Sequence, residues 1–393
     1  MAMDVKQSQG LPRLIVSRQA ILHNVRVIRQ QLRPGTRVCA MVKADAYGHG
    51  ADIVLDTLTN FSYEGLPTPA VDQVAVASLD EAAALPQMLP ILVFRAIENV
   101  YVGKAREAID TALQFGWILT IGTCAAADDL ARIALQRNRR AMVHVMIDTG
   151  MSRCGCELPR LGELLARIES HGSLKLVSLG THLATADVPD HPFVIEQFAR
   201  FRQATDDFAA SRSGKLIRHA ANSGAIFFFP HTHLDMVRPG ISLYGIDPTC
   251  KPSTDRFLKP VAKWTAPLIS ILEVKAGTSV GYGQTWRAPR DTRIGLVPVG
   301  YADGYLRAWG NRAMMMLHGT EVPVVGRVSM DLTTIDLHDV PAARIGDEVT
   351  IMDDDPLSPA SAYALAQMGQ TIPYEVLTRI GPRIRRVAVD TSA

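Results

Sequence analysis

The sequence predicts an α/β fold, a (β/α)8 TIM-type barrel followed by a mostly β C-terminal domain. Three observations carry that prediction. Between Val38 and Val237, eight short apolar runs alternate with helical patterns. Beyond Lys259-Pro260, strand-like runs follow one another without long helices. A chain of 393 residues is also long enough for a barrel with an appended unit. A doubly wound open sheet stands as the alternative architecture, because the last two barrel runs are short.

In chain order, Leu14 to Val16 reads as a strand, and Ser17 fits the N-cap of a helix running from Arg18 to Leu32. Ile21, Leu22, Val25, Ile28 and Leu32 fall on one face of that helix, and Pro34-Gly35 stops it. Barrel strands are expected at 38–42, 73–77, 91–94, 118–121, 143–147, 176–179, 216–217 and 236–237. Helices are expected between them at 79–85, 101–115, 125–136, 158–170, 193–211 and 225–229. The barrel is assigned to 14–258 and the mostly β domain to 259–393, with the N-terminal strand as a candidate member of the second. In that domain strands are expected at 266–274, 294–299, 313–317, 322–328, 333–337 and 348–352, with one helix near 359–368. Its turns carry Gly and Pro.

Composition narrows the function classes. Hydrophobic residues make up 47% and charged residues 20%, as in ordinary soluble proteins. A net charge of +2 offers no field suited to nucleic acid or a membrane surface. Residues 1–10 are polar without an apolar core for a secretory signal, and no run reaches membrane-spanning length. The five cysteines are odd in number and scattered, which fits a reduced cytoplasm rather than a disulfide framework. Cys154-Gly155-Cys156 has no second cysteine pair, so no metal site is expected.

Chemistry concentrates where the barrel runs end. The run 38–42 stops at Lys43, followed by Ala44-Asp45-Ala46-Tyr47-Gly48-His49-Gly50. A strand-end lysine either snorkels to solvent or, desolvated, becomes a nucleophile or base. Asp148-Thr149-Gly150-Met151-Ser152-Arg153 follows the fifth run, Thr181-His182 the sixth, Asn222-Ser223-Gly224 the seventh and Arg238-Pro239-Gly240-Ile241 the eighth. Singly, His182 reads as a core histidine and Ser223 as a helix cap. Together they converge on the face where such barrels keep their sites, with the loops after strands seven and eight forming a phosphate corner. A strand-end amine with a phosphate corner invites pyridoxal phosphate, whose aldehyde needs an amine partner. In the second domain Gly281-Tyr282-Gly283 leaves a phenol uncovered, although a turn tyrosine needs no role. Segments 327–331 and 371–375 are further candidates.

At this point the sequence resembles the alanine racemase family, two-domain fold-type III pyridoxal-phosphate enzymes. The Val42-to-Gly50 stretch resembles its cofactor-lysine motif. The segments at 148–153, 181–187, 238–241, 281–283, Gly300-Tyr301-Ala302-Asp303-Gly304 and Val328-Ser329-Met330-Asp331 follow in the family's order, with Tyr374 in a matching tail. The resemblance runs from about Leu14 to the C-terminus and implies a cytoplasmic homodimer with its sites at the subunit interface. It implies that Lys43 holds the cofactor as a Schiff base. Tyr47, Ser223, Tyr374 and the backbone of Gly240 and Ile241 would bind its phosphate. Arg153 would approach the ring hydroxyl, and Arg238 the pyridine nitrogen. Tyr282 would reach the other subunit's site, with Met330 beside the substrate carboxylate and Tyr301 near the entrance, and Arg153 and Asp331 would bind substrate with them.

The implied activity is racemisation of L- and D-alanine, supplying D-alanine for peptidoglycan or serving alanine catabolism. Moving a proton between the two faces of Cα needs two acid/base groups. Lys43 and Tyr282 would be those groups, with His182 and Arg238 as the other catalytic residues. By the family's pattern Lys43 serves D-alanine and Tyr282 serves L-alanine. Phenols deprotonate about 3 pH units above neutrality, so a tyrosine base costs about 4 kcal/mol. Positive potential from His182 and Arg238 would supply part of that. Arginine holds its proton, so the nitrogen facing Arg238 would stay unprotonated and the electron sink would be weakened.

One position departs from the pattern. Many relatives carry a carbamylated lysine two residues before the Asp-Thr-Gly, holding the arginine that matches Arg153; here that position is Met146. Arg153 would then need another carboxylate or an anion such as chloride. A broader racemase for serine, lysine or arginine is the alternative activity. A cofactor-carrying barrel without turnover and a decarboxylase are the other classes, and the Tyr282 segment argues against both.

Overall fold

The computed structural model describes residues 10–97, 104–212, 216–253 and 255–390. They fall into two compact units, one of Val25–Ala46 with Leu55–Leu243, the other of Met1–Asn24, Tyr47–Val54 and Tyr244–Ala393. The helix expected over 101–115 is described as Lys104–Phe115. Its first three positions, and the polar start expected over 1–9, lie outside the described residues.

The first unit is the barrel. Its strands are Arg37–Met41, Gln73–Val76, Ile91–Val93, Ile118–Ile121, Ala141–Asp148, Leu174–Gly180, Ile217–His219 and Met236–Val237. Each of the first seven pairs in parallel with its neighbour in sequence. The eighth returns to the first, with Met236 opposite Arg37 and Val237 opposite Val38. The seventh and eighth strands are joined by Asp235 N–H to Arg218 O at 3.1 Å and Arg238 N–H to Ala221 O at 2.9 Å. This closure excludes the doubly wound sheet. Parallel strands covered on both faces read as unbroken apolar runs, and Val38, Cys39, Ala40, Val74, Ala75 and Leu92 are fully buried.

Caps fix the helices between strands. Thr123 accepts a hydrogen bond from Ala126 N–H to start Cys124–Gln136, and Asn222 accepts one from Ala225 N–H to start Ser223–Phe228. The expected helix over 158–170 opens as a 3-10 turn, Leu158–Arg160, with Pro159 in the first turn where its missing N–H is tolerated, and continues as Leu161–Ser170.

Two elements near Lys43 were not anticipated. Lys43–Tyr47 is a helical turn of the wrong hand, with φ between 52° and 54° from Ala44 to Tyr47. L-residues avoid that region at about 1–2 kcal/mol each, so nothing in Ala-Asp-Ala-Tyr announces it. The helix Ala51–Asn60 follows, its Val54, Leu55 and Leu58 buried.

The second unit is mostly β. Its six-stranded sheet runs Thr320–Pro323, Met314–Leu317, Glu348–Met352, Ala262–Pro267, Arg13–Ser17, Arg385–Val389. The N-terminal strand is therefore antiparallel to Ala262–Pro267 and parallel to Arg385–Val389, with Leu14 and Val16 in the core. A second sheet orders Ser270–Val274, Thr292–Val297 and Thr333–Asp336. The single strand expected over 266–274 is thus two strands in different sheets. Pro267 has no N–H to extend the first ladder, and Leu268 bonds instead to Asp347 O at 2.8 Å. The strand expected over 322–328 ends at Pro323 for the same reason, with Val324 adding an isolated bridge to Ile335. The C-terminal helix is Ala362–Met368, capped by Ser361. The helix Pro373–Thr378 and the strand Arg385–Val389 were not anticipated.

Candidate active site

Lys43 directly follows Val42, whose N–H donates to Ala75 O at 2.9 Å and completes the first barrel strand. The side chain is half-buried. Burial pushes its amine below the ordinary lysine range, the Arg153 guanidinium pushes it further, and the Glu81 carboxylate opposes both. A desolvated amine beside a cation favours its neutral, nucleophilic form.

Arg153 is carried by the loop after the fifth strand. Asp148 builds that loop: its Oδ1 accepts from the amides of Gly150 at 2.9 Å, Met151 at 2.9 Å and Ser152 at 3.1 Å. Arg153 itself is exposed and makes no ion pair among the described residues. Met146 is buried in the fifth strand and offers it no charge.

Arg238 is buried at the end of the eighth strand. Its Nη2 donates to Thr181 O at 2.8 Å and Ala220 O at 3.0 Å, and its Nη1 to His219 Nδ1 at 2.5 Å. The guanidinium carbon lies 5.3 Å from the centre of the Phe94 ring. No carboxylate pairs with it among the described residues. Burial brings its pKa down to about 10, so it stays cationic at neutral pH. His182 Nδ1 lies 3.5 Å from Nη2 of Arg238. Burial and then the charges of Arg238, Arg153 and Lys43 push the imidazole down to about 3. His182 is therefore neutral, and the expectation that it adds positive potential does not hold; Arg238 supplies that charge alone of the two.

The corner after strands seven and eight is built around Ser223, the first residue of its helix. Its buried Oγ accepts from Gly240 N–H at 2.8 Å and Ser242 N–H at 3.3 Å, and lies 3.0 Å from Ser242 Oγ. Ile241 begins the 3-10 turn Ile241–Tyr244 at the same point. Lys43, Arg153, His182, Ser223, Arg238, Gly240 and Ile241 thus all belong to the barrel unit, at the carboxyl ends of its strands.

In the second unit, Tyr47 and Tyr374 come together with ring centres 6.3 Å apart, and Tyr47 also packs on Tyr244 at 4.9 Å. Burial raises the Tyr47 phenol. Gly48 makes this contact possible: at φ 86°, a Cβ there would lie 2.3 Å from Leu377 O. Arg386 Nε donates to Gly48 O at 3.0 Å, while its terminal nitrogens reach the carbonyls of Ile380, Gly381 and Ile384. Tyr282 is 71% exposed between Gly281 and Gly283, both at positive φ. Tyr301 and Met330 are also exposed, on neighbouring turns joined by Tyr301 N–H to Ser329 O and Ala302 N–H to Met330 O, each at 3.0 Å. Arg383 staples them, donating to buried Asp303 at 2.8 Å and to Asp331 at 2.8 Å.

Models of the alanine racemase N-terminal and C-terminal domains match residues 16–248 and 261–388. An alanine racemase of Sorangium cellulosum is 37% identical over 374 residues, covering 93% of this chain and 95% of that protein. One of Chlorobaculum tepidum is 38% identical over 384 residues, covering 97% and 96%. The chain belongs to the alanine racemase family. Among solved structures, alanine racemase from Streptomyces coelicolor A3(2) superposes with a TM-score of 0.86 at 31% identity, covering 97% of this chain and 98% of that one. Alanine racemase from Bartonella henselae, solved with covalently bound pyridoxal phosphate, gives 0.81 at 28% identity, covering 96% and 99%.

Beyond the residues expected for this family of racemases, the structure brings three more to these positions. Glu81 meets the Lys43 turn, His219 meets Arg238, and Arg383 ties Asp303 to Asp331. Ser78-Leu79-Asp80-Glu81 carries the signature of a helix cap, which marks Glu81 without indicating its second partner. No local pattern marks the other two. Among the described residues no cluster of His, Cys, Asp and Glu could hold a metal ion, and no helix is long and apolar enough to cross a membrane.

Proposed function

We propose that this protein is a cytoplasmic, pyridoxal-phosphate-dependent racemase interconverting L- and D-alanine by a two-base mechanism, acting as a homodimer. The observation that carries the reading is the set of groups at the carboxyl ends of the barrel strands. A partly desolvated amine, a buried cation that no carboxylate among the described residues pairs, and a corner of two amides and two hydroxyls all lie there.

These residues fit pyridoxal phosphate. Lys43 would hold it covalently, the Ser223, Gly240 and Ile241 corner with Tyr47 and Tyr374 would take its phosphate, and Arg153 would approach its ring hydroxyl. Bound there, the cofactor supplies the electron-withdrawing ring that acidifies the substrate α-proton. Lys43 Nζ moves a proton on one face of Cα, its depressed affinity keeping the neutral amine accessible. The Tyr282 phenol moves a proton on the other, and its 71% exposure suits a residue that meets substrate across a subunit boundary. Arg238 keeps its own proton, so towards the cofactor's pyridine nitrogen it would donate a hydrogen bond without protonating it. Neutral His182 orients rather than charges the site. Met330, Asp331 and Tyr301 form the substrate wall, firm enough to read a small side chain because Arg383 and Asp303 tie its turns together. The product supplies D-alanine for peptidoglycan, or the reaction feeds alanine catabolism.

A second reading, a broader racemase for serine, lysine or arginine, is favoured by one observation: Arg153 is exposed without an ion-pair partner among the described residues, and Met146 replaces the charge expected beside it. One assay separates the two readings. Purified protein with pyridoxal phosphate is tested for racemisation across a panel of L-amino acids. Alanine as the best substrate supports the first reading and a bulky substrate ahead of alanine the second. Absence of racemisation on every amino acid excludes both.

A further inference from the structure

We propose that Glu81 is a positioning residue that fixes the left-handed turn presenting Lys43. The inference rests on the reading of Lys43 as the cofactor-holding amine, and extends it to what aims that amine.

Four consecutive non-glycine residues, Ala44 to Tyr47, sit at positive φ. Such a turn persists only where its surroundings over-determine it. Ala46 N–H closes it on Val42 O at 2.9 Å. Its first amide, that of Ala44, donates instead to Glu81 Oε1 at 3.0 Å.

Glu81 is the third residue of the helix Leu79–Ala84, whose N-cap Ser78 accepts from Glu81 N–H at 3.3 Å. In an ordinary capping box the glutamate at this position returns to the amide of its own N-cap. Here Oε2 takes the amide of Ala77, one residue earlier, at 2.6 Å. Oε1 leaves the helix altogether for Ala44. One carboxylate thus joins the backbone just past the first barrel strand to the backbone just past the second. A residue serving only as a cap would have no reason to divide its oxygens in this way.

The same placement sets a charge behind the reactive amine. Among the influences on Lys43, its own burial and Arg153 favour the neutral form and Glu81 favours the charged form; His182, which also faces it, is neutral. Glu81 thereby holds the backbone that aims Lys43 and raises the pH at which its amine is free to react.

The test uses the full-length chain and three variants. Glu81→Gln keeps the shape but has one acceptor oxygen and no charge, Glu81→Ala has neither, and Ser78→Ala removes the cap while leaving the Ala44 bond. Pyridoxal phosphate is titrated into each, recording affinity and the pH at which the absorbance of the lysine-attached form develops. Glu81→Ala should bind about tenfold more weakly, as expected for a lost hydrogen bond to a charged acceptor. Glu81→Gln should fall between it and wild type, with attachment developing at lower pH. Ser78→Ala should lower the melting temperature yet keep the wild-type affinity and pH profile. Wild-type values in Glu81→Gln, or an equal change in Ser78→Ala, would overturn the proposal. Borohydride reduction and peptide mapping of the wild type check the underlying reading separately: cofactor on Lys43 sustains it, and cofactor elsewhere or none removes it together with the inference.

Discussion

Nη1 of Arg238 lies 2.5 Å from Nδ1 of His219, in a pocket where no carboxylate among the described residues pairs with the guanidinium. Arginine can only donate, so His219 accepts on Nδ1 and carries its proton on Nε2. That buried Nε2 has no partner among the described residues. The cation is therefore oriented by a neutral ring and two carbonyls, and its positive charge is left unneutralised.

Replacing His219 by Leu should leave a buried guanidinium N–H without its acceptor. An unsatisfied buried donor costs about 1–3 kcal/mol, and chemical denaturation at pH 7.5 measures it. A wild-type midpoint would mean the Arg238–His219 bond contributes nothing to folding.

The histidines around Arg238 predict an acid limit to stability. His144, stacked 4.7 Å from His219, is pushed down to about 3 by burial and Arg238, as His182 is, and His219 is also driven well below its usual range. In the unfolded chain each takes up a proton below about pH 6.5, whereas in the folded chain His144 and His182 do not until about pH 3 and burial keeps His219 neutral well below the usual range. The unfolded state then binds more protons in that window, so stability is intact above it and falls as pH drops through it. The slope is about 1.4 kcal/mol per pH unit for each fully affected histidine. Denaturation midpoints between pH 7 and pH 5 should fall, and His144→Gln should flatten the decline. An unchanged slope in that variant would contradict the assignment.

Gly48→Ala should be severely destabilising. Its φ of 86° is unfavourable for alanine, and the new Cβ would meet Leu377 O at 2.3 Å. Strain of this kind costs about 1–3 kcal/mol before the clash is counted. Cofactor binding should weaken with it, because Gly48 joins Tyr47 to the segment bearing Tyr374. Gly35→Ala, at a similar φ with open space around it, is the comparison; equal melting temperatures for the two would argue against the close approach.

Much of this was legible in the sequence, and the reason lies in burial. The barrel strands are covered on both faces, so their runs are apolar throughout, and they end where polarity returns at Lys43, Thr181 and Arg238. The left-handed turn was not legible, because Ala44, Asp45 and Ala46 have no preference for it, and the bond from the Ala44 amide to Glu81 comes from 37 residues away. The division of 266–274 was signalled by Pro267, but burial of Leu268 between the two strands masked the break. The charge state of His182 was misjudged because it depends on burial and on Arg238, Arg153 and Lys43, none of them its neighbour in sequence. Arg383 lies 80 residues from Asp303 and 52 from Asp331, beyond any local pattern.

In the proposed mechanism Lys43 and Tyr282 are opposed bases. Tyr282 is exposed, so Tyr282→Phe should leave the fold and cofactor uptake unchanged. The decisive measurement is exchange of the α-hydrogen of each alanine enantiomer in deuterated water, by wild type and by Tyr282→Phe. Tyr282→Phe should lose exchange of L-alanine far more than exchange of D-alanine, which Lys43 would serve. Equal loss for the two enantiomers, or retention of both, would contradict that mechanism.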